Sequence, residues 1–115
     1  GAVITRGLDG SLFLFPLEEW GKLAERLASL PLGRANSRAF ARLMLAGAMD
    51  VELDKQGRIV IPEYLRAYAT IDKQIVVAGL YNRLELWDKA KWETYQATNE
   101  DAAVGIAEQL GELGL

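Results

Sequence analysis

Polar and apolar positions change period several times along the chain, and each change marks an element. Residues 3–6 and 12–15 read as two short strands on either side of Gly7-Leu8-Asp9-Gly10. Asp-Gly favours a tight turn because glycine accepts positive φ, so the pattern predicts a hairpin. Pro16 stops the second strand and opens a helix over 17–30, where Leu17, Trp20, Leu23, Ala24 and Leu27 form one stripe at spacings of three and four. After Pro31 and Gly33, a second helix is expected over 36–46, with Asn36 or Ser37 as its N-cap and Gly47 closing it. Asp50-Val51-Glu52-Leu53-Asp54 then alternates strictly, with Val51 and Leu53 on one side and the three carboxylates on the other. Lys55-Gln56-Gly57 reads as a turn and 58–61 as the return strand. Pro62 suits the first turn of a helix over 63–69, with Tyr64, Leu65, Tyr68 and Ala69 largely inward. Strands over 75–78 and 83–87 lead to a helix capped by Asp88. The tail from Asn99 is rich in Ala, Glu and Leu but holds three glycines, which predicts a weak helix, frayed or docked on a neighbour.

Part of this pattern occurs twice. Gly7-Leu8-Asp9-Gly10-Ser11-Leu12-Phe13-Leu14-Phe15 returns as Gly79-Leu80-Tyr81-Asn82-Arg83-Leu84-Glu85-Leu86-Trp87, without a gap, and Trp20 returns as Trp92. Recurring turn and core positions indicate one supersecondary unit used twice. The copies are unequal: residues 51–71 lead into the second, and nothing comparable precedes the first. The chain therefore reads as a fragment lacking roughly twenty residues, by the logic of the repeat. On that reading the strands near residues 3–15 lack pairing partners and should drive association with another chain.

Composition narrows the chemistry. The 115 residues, half of them hydrophobic, are enough for one compact domain. No apolar run reaches membrane-spanning length and no signal-peptide pattern opens the chain, so the expectation is a soluble protein. Without Cys or His there is no disulfide framework, no thiol nucleophile, no imidazole base and no ordinary zinc or copper site. No phosphate-cradling loop or nucleophile elbow is present either. An enzyme is not expected, and a carboxylate hydrolase would need acidic residues converging in a pocket. A net charge of −3 argues against a general nucleic-acid binder, so any such surface has to be local and multiplied by oligomerisation.

The sharpest local motif is Asp54-Lys55-Gln56-Gly57-Arg58 followed by Ile59-Val60-Ile61-Pro62. Asp54 can accept turn N–H bonds or pair with Arg58, and an arginine on a rigid tip suits bidentate reading of guanine, with Lys55 and Gln56 beside it. Spacing alone favours the plainer reading of a turn cap and a surface ion pair. Arg34, Arg38 and Arg42 recur every fourth residue, which points to one helix face contacting a neighbouring subunit or, alternatively, phosphate. Asp50, Glu52 and Asp54 read as a solvated strand face rather than a cation site. Trp20, Trp87 and Trp92 occupy repeat-related or core positions and read as packing rather than as stacking platforms for single strands.

The run Leu53-Asp54-Lys55-Gln56-Gly57-Arg58-Ile59-Val60-Ile61-Pro62 with Leu65-Arg66 resembles the MraZ family of bacterial transcription regulators. So do Thr5-Arg6-Gly7-Leu8-Asp9-Gly10, Pro16-Leu17-Glu18-Glu19-Trp20, and Gly79-Leu80-Tyr81-Asn82-Arg83 with Trp87 and Trp92. The resemblance covers about residues 3–95. It implies an α+β protein, an AbrB-like swapped-hairpin β-barrel with two tandem pseudo-symmetric repeats, the first lacking its N-terminal hairpin. Residues 1–48 would be the remnant of that repeat with a linking helix, 49–98 the complete repeat and 99–115 a tail. It also implies sequence-specific binding to double-stranded DNA repeats upstream of the division and cell-wall gene cluster, by a ring-like homo-oligomer. Asp54, Lys55, Gln56 and Arg58 would be the DNA-binding residues, and the resemblance turns the balance toward DNA contact for Arg58. No cofactor, metal, membrane or small-molecule substrate is implied, and the location would be cytoplasmic and nucleoid-associated. The competing class is an assembly module that does not read DNA.

Overall fold

The first hairpin sets the frame. In a computed structural model describing residues 1–114, β1 (Ala2–Arg6) and β2 (Leu12–Pro16) pair antiparallel, with Arg6 opposite Leu12. The turn between them places Asp9 at φ 58° and Gly10 at φ 77°. Two successive positive values give the turn a twist that matches paired strands. A side chain at Gly10 would also collide with Lys91 Nζ.

Pro16 ends β2, and α1 (Leu17–Ala28) follows at once, with Glu18 and Glu19 in its first turn and Arg26 in its last. α2 (Ala35–Ala41) begins without a side-chain cap: Arg34 takes the capping position, in place of the expected Asn36 or Ser37. The helix then widens into a π segment, Arg42–Ala46, which Gly47 closes. Next come β3 (Met49–Val51), the short α3 (Glu63–Tyr68), β4 (Ile75–Gly79), β5 (Leu84–Asp88), α4 (Lys89–Asp101) and α5 (Ala103–Gly111). Asp88 caps α4 as expected, its carboxylate accepting from Lys91 N–H.

The five strands form one antiparallel sheet in the order β3-β1-β2-β5-β4. This overturns the expectation that the first hairpin lacks partners, because β1 lies between β3 and β2, and β2 lies between β1 and β5. The edges are β3 and β4. The register also changes the repeat. Aligning β2 with β5 sets Leu12 on Leu84, but the hairpin partners then set Ile4 on Val77, one position beyond the gapless match. The gapless match would put Ile4 and Val76 on opposite faces; the first hairpin loop is simply one residue longer.

Each face of the sheet has its own core. On one face Phe13, Phe15, Leu27 and Met44 are buried, with Trp20, Leu23 and Phe40 packed against them. Phe15 and Trp20 have ring centroids 5.8 Å apart, and Trp87 and Trp92 stand 5.4 Å apart edge to face, so both helix tryptophans pack on their own hairpins. Leu17, expected in the α1 stripe, is exposed instead. On the opposite face Ile4, Leu12, Val51, Leu65, Ala69, Ile71 and Leu86 form the second core, under α3 and its flanking segments.

Two other expectations fail between β3 and α3. The strand anticipated over 50–54 ends at Val51, and residues 58–61 form no strand. The limbs diverge: Ile59 and Ile61 pack toward the second core, while Leu53 and Val60 are exposed. A groove of about 330 Å³ lined by Met49, Val51, Glu52, Val60 and Pro62 separates them. The tail is helical in α5, with Val104 and Leu113 exposed.

Two substitutions test this packing. Leu65 is fully buried, so Leu65→Ala should cost about 2–5 kcal/mol in denaturant titration, whereas Trp92→Ala, at a half-buried site, should cost about 2 kcal/mol. Thr70, just past α3, holds a left-handed φ of 49°, which a β-branched residue adopts only under strain. Thr70→Gly should raise stability by about 0.5–1 kcal/mol, read as a higher denaturation midpoint with an unchanged slope.

Candidate nucleic-acid interface

Asp54 organises the tip of the segment between β3 and α3. Its Oδ1 accepts the backbone N–H groups of Gln56, at 2.8 Å, and Arg58, at 2.9 Å. Its own N–H donates to the Arg58 carbonyl at 2.9 Å, and Gly57 N–H donates to the Asp54 carbonyl at 3.0 Å. Gly57 sits at φ 76°, where a side chain would be strained. These bonds explain why Asp and Gly flank Lys55-Gln56: a short acceptor side chain satisfies N–H groups that a tight loop leaves unpaired.

The second carboxylate oxygen, Oδ2, accepts Arg58 Nε at 3.1 Å. The loop thereby fixes the root of the guanidinium and leaves its outer edge free. Arg58's side chain is 72 % exposed, and its two terminal nitrogens make no hydrogen bond among the described residues. The Arg58 backbone N–H holds the Asp54 carboxyl below its ordinary range; partial desolvation opposes this, and the Gln56 N–H and the Arg58 side chain add to the lowering. The anionic form is thus the one the loop is built around. Lys55 and Gln56 are exposed on the same tip. The four residues singled out from the sequence do come together, as one compact, solvent-facing feature. The fork left free suits two adjacent acceptors such as guanine O6 and N7.

The arginine series runs along α2 and its two ends. Arg34 takes the N-cap position of α2 in an extended conformation, Arg38 N–H donates to the Arg34 carbonyl at 3.0 Å, and Arg42, where the π segment begins, donates its N–H to the Arg38 carbonyl, so the three follow one another at successive helical turns. Arg38 Nη1 donates to the Leu32 carbonyl at 2.8 Å. Arg34 and Arg42 are exposed and make no salt bridge among the described residues. Asp50, Glu52 and Asp54 do not share a strand face, because β3 stops between them.

Sequence reasoning missed a polar cluster behind the loop. Tyr64 Oη donates to the Gly47 carbonyl at 2.7 Å and Tyr68 Oη to the Gly7 carbonyl at 2.8 Å. The Arg6 guanidinium lies 5.8 Å from the Tyr64 ring centroid and 5.9 Å from that of Tyr68. Tyr68 lies partly inward as expected, whereas Tyr64 is exposed, and the hydroxyl partners of both, distant in sequence, were not legible. Glu85 was also unforeseen. It sits opposite Phe13 within the sheet and accepts from Arg83 Nη2 at 3.2 Å and Trp87 Nε1 at 3.0 Å.

Comparison with known proteins supplies the context. A family model described as "MraZ protein, putative antitoxin-like" matches residues 44–110. The chain is similar to the transcriptional regulator MraZ of Acetivibrio thermocellus, at 47 % identity over 113 residues, covering 98 % of this chain and 79 % of the relative. The transcriptional regulator MraZ of Pediococcus pentosaceus is 48 % identical over the same shares, and that of Natranaerobius thermophilus 46 % over 94 % of this chain and 76 % of its own length. Matched over more than half its length by the family model, and nearly half identical to these relatives, the chain belongs to the MraZ family, which comprises transcriptional regulators and not enzymes.

Proposed function

We propose that this chain is a DNA-binding transcription regulator that reads specific promoter repeats with the loop Asp54-Lys55-Gln56-Gly57-Arg58. The observation that carries the reading is the Arg58 guanidinium, fixed through Nε by Asp54 and open along its outer edge. A side chain held in place before contact loses less freedom on binding, so more of each hydrogen bond appears as affinity. The relatives' description as transcriptional regulators supports the same reading. The target would be the division and cell-wall gene cluster, and the location cytoplasmic and nucleoid-associated. No helix is long and apolar enough to cross a membrane among the described residues.

The working form would be a ring-like homo-oligomer built on an AbrB-like swapped-hairpin barrel of two repeats: residues 1–48 carrying the partial copy, 49–98 the fuller one and 99–115 the tail. Two features support this. The pairing of β2 with β5 is centred on Phe13 opposite Glu85, which are equivalent in the two units, as a pseudo-two-fold axis requires. The cover of the sheet is nevertheless unequal: Ile4 and Leu12 are fully buried, while Val77 and Leu84, their counterparts, are 53 % and 39 % exposed. With Ile75 at the β4 edge they leave an apolar half-face and an unpaired strand for another chain. Many copies of one small cationic tip would let a chain of net charge −3 bind DNA. Arg34, Arg38 and Arg42 would meet a neighbouring subunit or phosphate. The same apolar half-face favours the second reading, an assembly module without DNA-reading activity.

Arg58→Ala should weaken binding to a duplex from the promoter upstream of the chain's own gene by about 1–3 kcal/mol per reading subunit, measured by fluorescence anisotropy. Asp54→Ala should weaken it through the misplaced guanidinium, so the two losses should not add. Equal binding by Arg58→Ala at every salt concentration would leave the assembly module as the surviving function. In sedimentation velocity the unaltered chain should run larger than a monomer, and Val77→Asp should shift it toward the monomer. A monomer at micromolar concentration would remove the oligomer.

A further inference from the structure

We infer that Tyr64 is the positioning residue of the Asp54–Arg58 loop: its hydroxyl, bound to the Gly47 carbonyl, closes the base of the arm that carries the loop. The inference rests on the DNA-reading function proposed above, and it concerns what aims the loop rather than what the loop touches.

The arm needs such a closure. Its tip is rigid, but every polar bond described for Asp54 is to Gln56, Gly57 or Arg58, all within the tip itself. Rigidity of that kind fixes the guanidinium relative to the loop and not relative to the sheet. Below the tip the limbs do not zip together, since β3 ends at Val51 and residues 58–61 form no strand. Ile59 and Ile61 rest against the second core, a contact that resists withdrawal but has no directional preference.

Direction comes from the roots. The arm-bearing segment leaves the π segment at Gly47 and returns to α3 at Tyr64, and one hydrogen bond of 2.7 Å joins these two points across seventeen positions of chain. It is directional, and it ends on a buried glycine; three residues before that glycine, Thr5 donates its own hydroxyl to the Met44 carbonyl at 2.6 Å. Arg6, packed beside the Tyr64 ring and with Nη1 3.5 Å from the Leu43 carbonyl, ties the same corner to β1. β3 holds the outgoing limb to β1 as far as Val51, so without the bond it is the returning limb that could shift against it, and a small angular change there becomes a displacement of Arg58 at the tip. Bidentate reading tolerates little displacement.

Tyr68 supplies the control. It is on the same helix, flanks the same Arg6 and makes a hydroxyl bond of nearly equal length, 2.8 Å, but its acceptor is Gly7 in the first hairpin, outside the arm. Removing that hydroxyl should disturb stability to a similar degree without opening the arm's base.

The test compares Tyr64→Phe, Tyr68→Phe and Arg58→Ala in the 115-residue chain, by hydrogen exchange and by anisotropy on the own-promoter duplex and a scrambled duplex. Tyr64→Phe should speed exchange across residues 52–62 and lower affinity for the promoter duplex about five- to tenfold, with affinity for the scrambled duplex unchanged. In an Arg58→Ala background, Tyr64→Phe should have no further effect on affinity, since there is no guanidinium left to aim. Tyr68→Phe should leave arm exchange and discrimination as they were. The inference is overturned if Tyr64→Phe leaves exchange in 52–62 unchanged, if Tyr68→Phe acts equally, or if the affinity loss persists in the Arg58→Ala background. Should Arg58→Ala itself discriminate normally, the DNA-reading proposal fails, and the exchange comparison alone decides whether Tyr64 closes the arm.

Discussion

Three residue pairs, Leu12 with Leu86, Phe13 with Glu85 and Leu14 with Leu84, join the two hairpins of this chain into one sheet. An isolated two-stranded hairpin is marginal in water, and neither has enough surface for a core of its own. Paired through β2 and β5, they present two continuous apolar faces, each of which then needs cover. α1, α2 and the π segment close one, burying Phe13, Phe15 and Met44. α3 and its flanks close part of the other over Ile4, Leu12 and Leu86. The position of α3, and so of the loop before it, follows from where that second face lies.

The junction carries an electrostatic cost that the structure offsets locally. Glu85 enters an otherwise apolar layer, its side chain only 13 % exposed. A carboxylate there would be unfavourable alone, and Arg83 and the Trp87 indole satisfy both its oxygens. Arg83 in turn lies 4.8 Å from the Phe13 ring centroid, which places a cation against the ring across from the carboxylate. The pair thus sits at the centre of the strand junction rather than on its rim, where it helps to select this register over a slipped one.

The loop works on a different principle. It contributes almost nothing to either core, and its order is local: a carboxylate, two backbone N–H groups and a glycine at positive φ. Such a tip can be carried at the end of an arm without a strand to support it. Separation of duties follows. The sheet determines where the arm is rooted, the loop determines how the guanidinium is held, and the α3 corner connects the two.

Local chemistry was readable in the sequence wherever neighbouring residues settled it. Asp9-Gly10 gave its turn, Pro16 its boundary, Asp88 its cap, and Asp54 to Arg58 a self-contained loop, because in each case the partners lie within a few positions. Family membership was legible for the same reason, being carried by contiguous runs of residues. Alternation misled at Leu53 and at 58–61: a period of two shows that a segment can be a strand, but only a partner across the ladder makes it one, and the diverging limbs offer none. The partners of Tyr64 and Tyr68, the pairing of β1 with β3 and the one-residue slip between the repeats could be decided only by tertiary structure. Each depends on contacts between residues far apart in the chain, which compete with many alternatives until the sheet has formed and its two faces have been covered.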